Sequence, residues 1–135
     1  MSVFRTMAVF ILGAALFLVP SLSASEKPHA LAKGAWGGDH VTMNVTESGA
    51  QLEFDCAAGE ISEPVRVDAT GNFDARGKYA GEHPGPTRDE DTSTPVRYHG
   101  QIDHNSMELT IMAGRETVGT FTLTRGRETI LRKCR

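Results

Sequence analysis

Residues 41–56 read VTMNVTESGAQLEFDC. Val41, Met43 and Val45 alternate with Thr42, Asn44 and Thr46, and Leu52, Phe54 and Cys56 alternate with Gln51, Glu53 and Asp55. Between the two runs, Glu47-Ser48-Gly49-Ala50 has the composition of a tight turn. Successive side chains on a β-strand point to opposite faces, so this stretch predicts two antiparallel strands, each with one apolar and one wet face.

The same period continues outward. Val65 and Val67 alternate with Arg66 and Asp68, and the turn Ala69-Thr70-Gly71-Asn72 follows. Phe73, Ala75, Gly77 and Tyr79 then alternate with Asp74, Arg76 and Lys78. Val96, Tyr98, Gly100 and Ile102 alternate with Arg97, His99, Gln101 and Asp103, and His104-Asn105-Ser106 turns into Met107, Leu109 and Ile111. After Gly114-Arg115-Glu116, Phe121 and Leu123 alternate with threonines, and residues 129–134 are expected to form the last strand. The expectation is an all-β fold of eight strands joined mostly by short turns. Short connections favour an antiparallel up-and-down meander, which closes into an eight-stranded barrel without exposed edges; a β-sandwich is the alternative. If the apolar faces point inward, the lumen is dry and filled by its own side chains, and an unpaired charge there would be costly.

The N-terminal segment reads differently. Arg5 is its only charge, Met7–Val19 is an unbroken run of apolar, Gly and Ala residues, and Pro20 precedes the small residues Ser21, Ser23, Ala24 and Ser25. This is the order of a secretory signal. The run falls short of the roughly 20 residues a membrane-spanning helix needs. The expected organisation is a signal peptide over 1–24, a flexible N-terminal lead over 25–33 and a single β-barrel domain over 34–135. No cysteine stands at the exit, so the expected location is periplasmic or secreted, without a lipid anchor. In such an oxidising compartment Cys56 and Cys134 are expected to form a structural disulfide. Closing so long a loop stabilises by roughly 4–5 kcal/mol on the chain-entropy estimate.

Removing the signal takes away one of the 14 Lys and Arg and none of the 17 Asp and Glu. A mildly acidic domain of this kind is not expected to bind nucleic acid. The basic residues near the C-terminus, Arg125, Arg127, Arg132, Lys133 and Arg135, read as a solvated terminal strand.

Gly34-Ala35-Trp36 resembles the Gly-x-Trp that opens the first strand of lipocalins and the wider calycin superfamily. The resemblance implies that Trp36 packs across one barrel end beneath an arginine from near the last strand, here Arg127. The run Gly34–His40, with Glu53–Cys56 and the closing Lys133-Cys134, is also similar to a group of short exported bacterial proteins. That likeness brings no activity with it.

Catalytic constellations are not evident. The histidines, His29, His40, His83, His99 and His104, are scattered, whereas a zinc site needs three or four ligands converging on one point. Glu53, Asp55 and Arg66 read as a cross-strand ion pair on a wet face. No Gly-x-Ser-x-Gly elbow occurs. No cofactor is implied. The segment Gly81–Pro95, with three prolines and two glycines, is a long connection for a compact domain. Long loops carry binding residues disproportionately, so Glu82, His83 and Arg88, with His40, are the candidate binding residues. The expected function is a non-enzymatic binding module for a small apolar ligand or a protein partner. The alternatives are a periplasmic inhibitor of a secreted protease or other hydrolase, acting through the lead 25–33, and a metal-binding periplasmic protein.

Overall fold

The computed structural model describes residues 13–15, 17–18, 27–82 and 93–134. Ten strands run in chain order: β1 His29–Ala30, β2 Gly34–Gly38, β3 Val41–Val45, β4 Ala50–Phe54, β5 Ala57–Ile61, β6 Arg66–Val67, β7 Asn72–Gly81, β8 Thr94–Asp103, β9 Ser106–Ala113 and β10 Glu116–Arg125. Eight of them, β2 to β5 and β7 to β10, form a closed antiparallel barrel in which neighbours in sequence are neighbours in space and β10 returns to β2. β1 and β6 pair separately as a short ribbon.

Residues 41–56 form the hairpin their alternation predicts. Val41 faces Phe54, Met43 faces Leu52 and Val45 faces Ala50, and all six are buried. Thr46 N–H closes the turn on Gly49 O at 2.9 Å. The barrel has two ends. The upper rim carries the β2–β3, β4–β5 and β9–β10 turns and the connection that leaves β7; the lower end carries the β3–β4, β5–β7 and β8–β9 connections.

Two of the eight strands are not the expected ones. Residues 57–61 were hidden by their small side chains, because Gly59 faces inward and the phenol of Tyr98 fills its place; a Cβ there would stand 2.2 Å from Tyr98 Oη. Residues 34–38 contain three glycines and lack the alternation that marks the other strands, although the resemblance of Gly34-Ala35-Trp36 places a strand start here; Gly37 and Gly38 are required by close backbone passage, with Arg127 O and Thr122 O occupying the space of a side chain. Conversely, Val65–Asp68 supplies only β6, outside the barrel, and residues 129–134 form no strand. The β10–β2 ladder has already closed the barrel, so no free edge remains to receive a further strand.

The lead over 25–33 also differs from the expected flexible tether. From His29 it is tied down: β1 pairs with β6, Leu31 N–H donates to Val65 O at 3.0 Å, and Leu31 is buried. Leu31, Val65 and Val67 belong to the barrel's own core cluster.

Every buried residue in that cluster is hydrophobic, and its only polar side-chain atoms are Trp36 Nε1 and the hydroxyl of Tyr98. Tyr98 Oη donates to Lys78 O at 2.6 Å, which satisfies it; burial pushes its pKa above the usual phenol range. Phe54 of β4 reaches both Tyr79 of β7 and Phe121 of β10, with ring centroids 5.5 and 5.1 Å apart. These contacts link β4 to strands two and three places away around the barrel, so aromatic rings cluster in its upper part.

Candidate functional site

The polar groups of greatest interest gather on the upper rim, which the C-terminal tail, residues 126–134, reaches by running from the end of β10 along the outside of β2 to the β2–β3 and β4–β5 turns. Gly126 N–H bonds to Ala35 O, and the tail then passes over Gly37. Arg127 Nη2 donates to Asp39 Oδ1 at 2.7 Å, and Thr129 Oγ1 to Gly38 O at 2.9 Å. Arg132 N–H donates to Asp55 Oδ1 at 3.0 Å. Cys134 ends the described tail in a disulfide with Cys56, with the two Cα atoms 5.0 Å apart.

His40 sits at the tip of the β2–β3 turn with φ 69°, a left-handed conformation that histidine tolerates better than most side chains. Its Nδ1 meets Asp55 Oδ2 at 2.5 Å. The Arg132 amide lowers the pKa of Asp55, partial burial opposes this, and the bond and charge of His40 lower it further.

Lys133 is the centre of the rim. Its Nζ donates to Phe54 O at 3.0 Å and Ala57 O at 3.2 Å, and lies 2.7 Å from Glu53 Oε2 and 2.8 Å from Glu82 Oε1. Desolvation acts to lower its pKa, but the bonds to Glu53 and Glu82 outweigh it and the amine is held above its usual value. Glu82 N–H in turn bonds to Cys56 O at 2.8 Å. One ammonium thereby joins the β4–β5 turn, the end of β7 and the tail.

The structure brings His40, Glu82, Cys56 and Cys134 to one rim. His83 and Arg88 lie outside the described residues. Trp36 is buried, and its Nε1 donates to Ala32 O at 3.3 Å, so the lead closes over the indole at the lower end. Arg127 stands outside the barrel with its guanidinium on Asp39. His99 lies on the outer wall beside Asp74, His104 pairs with Asp103 at the lower end, and His29 is in β1. Among the described residues no three His, Cys, Asp or Glu side chains are grouped to hold a metal ion. The expected pairing of Glu53 or Asp55 with Arg66 is also replaced: Glu53 meets Lys133, Asp55 meets His40 and Arg132, and Arg66 belongs to β6 beyond the lower end.

Lys133 was missed at the sequence level, although a signal existed. A bond between Cys56 and Cys134 must place the neighbours of one beside the neighbours of the other, which sets Lys133 against Glu53 and Asp55.

Chemically the rim is a set of mutually satisfied charges. The His40–Asp55 couple resembles part of a catalytic triad, but a triad also needs a nucleophile at the other ring nitrogen. The nearby hydroxyl of Thr129 is committed to Gly38 O and both sulfurs are bonded to each other. Compared with known protein families, curated proteins and solved structures, the chain shows no match.

Proposed function

We propose that the chain is an exported, lipocalin-like but non-enzymatic binding module that meets a protein partner with its upper rim and leaves its lumen out of the contact. One observation carries this reading: the buried side chains of the described core are hydrophobic, their polar atoms Tyr98 Oη and Trp36 Nε1 are both hydrogen-bonded, and Phe54 packs against Tyr79 and Phe121 in the upper part of the barrel. A lumen site for a small molecule has a few polar groups that fix orientation; here the polar groups stand on the rim. The outer wall carries the charges, the reverse of a barrel that faces lipid. A periplasmic or secreted location fits the signal-like N-terminus and the disulfide. The anchored lead, with Leu31 buried, argues against an inhibitor that inserts residues 25–33 into an enzyme's cleft.

Photo-crosslinking in the intact exporting cell tests the proposal. A photoreactive residue at His40 or Glu82 is expected to give one discrete protein adduct, and the same residue at Gln101 on the outer wall none. Equal labelling from both places, or labelling from neither, would sink it. Stoichiometric zinc in protein purified without chelator would move the reading to the metal-binding alternative.

A further inference from the structure

A shallow, open-faced depression of about 420 Å³ lies on the outer wall near the lower end, away from the rim. Pro28 of the lead borders it, with Arg66 of β6, Asp68, Asn72 and Asp74 at the start of β7, and His99 of β8. The pairing of β1 with β6 sets Arg66 opposite Ala30 and fixes the backbone on that side of the concavity. The β7–β8 ladder sets His99 directly opposite Asp74 on the other side.

The charged groups here differ in how far their hydrogen-bonding capacity is already used. Both carboxylates are already satisfied. Asp68 accepts Thr70 N–H at 2.9 Å, Thr70 Oγ1 at 2.7 Å and Asn72 N–H at 3.0 Å, and these bonds, partly opposed by burial, hold its pKa below the usual range. Asp74 takes both oxygens to Arg97 Nη1, at 3.0 and 3.1 Å. Arg66, in contrast, makes no side-chain hydrogen bond or ion pair among the described residues. Arg76 is similarly unpaired through its side chain, and it stands directly opposite Arg97 in the β7–β8 ladder. Like charges at directly opposite positions destabilise a sheet, and Arg97 is turned from this pair toward Asp74. Among the described residues this leaves Arg66 as the charged donor at the depression with no side-chain partner, beside a carboxylate, Asp68, whose lone pairs are taken by neutral donors, and the His99 ring, with Nδ1 3.7 Å from Asp74.

We infer that this depression binds a small carboxylate carried on a short apolar body, gripped by the Arg66 guanidinium with the His99 ring beside it. The planar fork of an arginine matches a carboxylate in two parallel hydrogen bonds. The Pro28 ring offers an apolar flank for the body of the ligand. Arg97 serves as a positioning residue, because it neutralises the Asp74 carboxylate that would otherwise repel the anion.

Benzoate is the probe, followed by two-dimensional amide NMR of the mature, oxidised protein. Saturating shifts are expected at residues 66–74 and at His99, with core amides of β3 and β4 unmoved. Benzamide, which has the same shape without the charge, is expected to bind at least about tenfold more weakly. Arg66→Ala should weaken benzoate by about tenfold or more, and Arg66→Lys by less, since a lysine keeps the charge and loses the fork. Arg97→Met should also weaken it, through the Asp74 carboxylate it uncovers. An unchanged core amide pattern shows that each variant is folded. Shifts that fail to saturate, equal binding of benzamide, or affinity unaltered in Arg66→Ala would overturn the site. Inorganic phosphate binding as tightly as benzoate would overturn the apolar body. Failure at the rim leaves this result untouched, because the two sites share no residue.

Discussion

Gly100 of β8 lies directly opposite Phe73 of β7, and the ring of Phe73 occupies the volume a side chain at 100 would fill. A Cβ there would stand 1.9 Å from Phe73 Cε1, whereas one at Gly81 would meet nothing within 4 Å. Gly100→Ala must therefore displace a buried ring and should cost about 1–3 kcal/mol, while Gly81→Ala stays within about 0.5 kcal/mol of the parent. Thermal denaturation separates them, since each kcal/mol moves the midpoint by about 4–8 °C in a domain of this size. Equal midpoints would mean that the ring does not fill that space. Lys133 supports a second residue-scale prediction. An amine whose folded pKa is raised adds stability below its unfolded value, near 10.5, and loses that stability as pH rises through the folded value. Lys133→Met should be less stable than the parent at neutral pH, with a gap that narrows above pH 10.5. Urea unfolding at about pH 8 and about pH 11 measures the gap, and a gap independent of pH would refute the assignment. Neither residue was conspicuous in the sequence. A glycine required for another side chain's ring looks like any turn glycine, and a lysine near a terminus looks solvated.

At the scale of elements, the tail and the barrel are held by different forces. Residues 126–134 place no side chain in the core cluster, and Ile130 is 97% exposed. Their attachments are polar bonds to the rim and the Cys56–Cys134 bond, whose two residues are both exposed to solvent. Surface ion pairs of this kind contribute about 0–1 kcal/mol each. Reduction, or Cys134→Ala, should thus free the tail while the barrel persists. The expected sign is rapid tryptic cleavage after Arg127 and Arg132 in the reduced protein, with its far-ultraviolet spectrum unchanged. A cooperative loss of β-signal on reduction would show instead that the tail is integral to the barrel. This division explains which elements were legible. Strands with large alternating residues, such as 41–45 and 73–79, declare themselves by period alone. β2 and β5 do not, because their inward positions are partly glycine and alanine, whose apolar signal is weak. The segment 129–134 alternates well enough to suggest a strand, but pairing depends on an edge being free, and no local pattern records that β10 has closed on β2.

For the whole molecule, fold class and disulfide were readable, because period-two patterning decides which face is buried and the sequence holds just two cysteines to pair. The rim was half readable: His40 and Glu82 stood out by position, but the tail that unites them is a long-range consequence of the disulfide. What the barrel does with its interior follows from packing. Tyr98, Met107, Leu109 and Ile111 are fully enclosed, and the ring of Phe54 packs against those of Tyr79 and Phe121. A lumen filled by these side chains is expected to exclude a guest, whereas an apolar cavity made by truncation stays dry and takes up apolar solutes. Leu109→Ala should cost about 2–5 kcal/mol, and benzene should then raise the melting temperature of the variant while leaving that of the parent unchanged. The comparison discriminates because benzene carries no charge and cannot exploit the Arg66 depression or the rim. If benzene stabilises the parent as well, the lumen already holds a cavity, and a small apolar ligand returns as the natural occupant of the barrel. If it stabilises neither, the walls have collapsed into the space left by Leu109 and the cost of the substitution should fall at the lower end of its range.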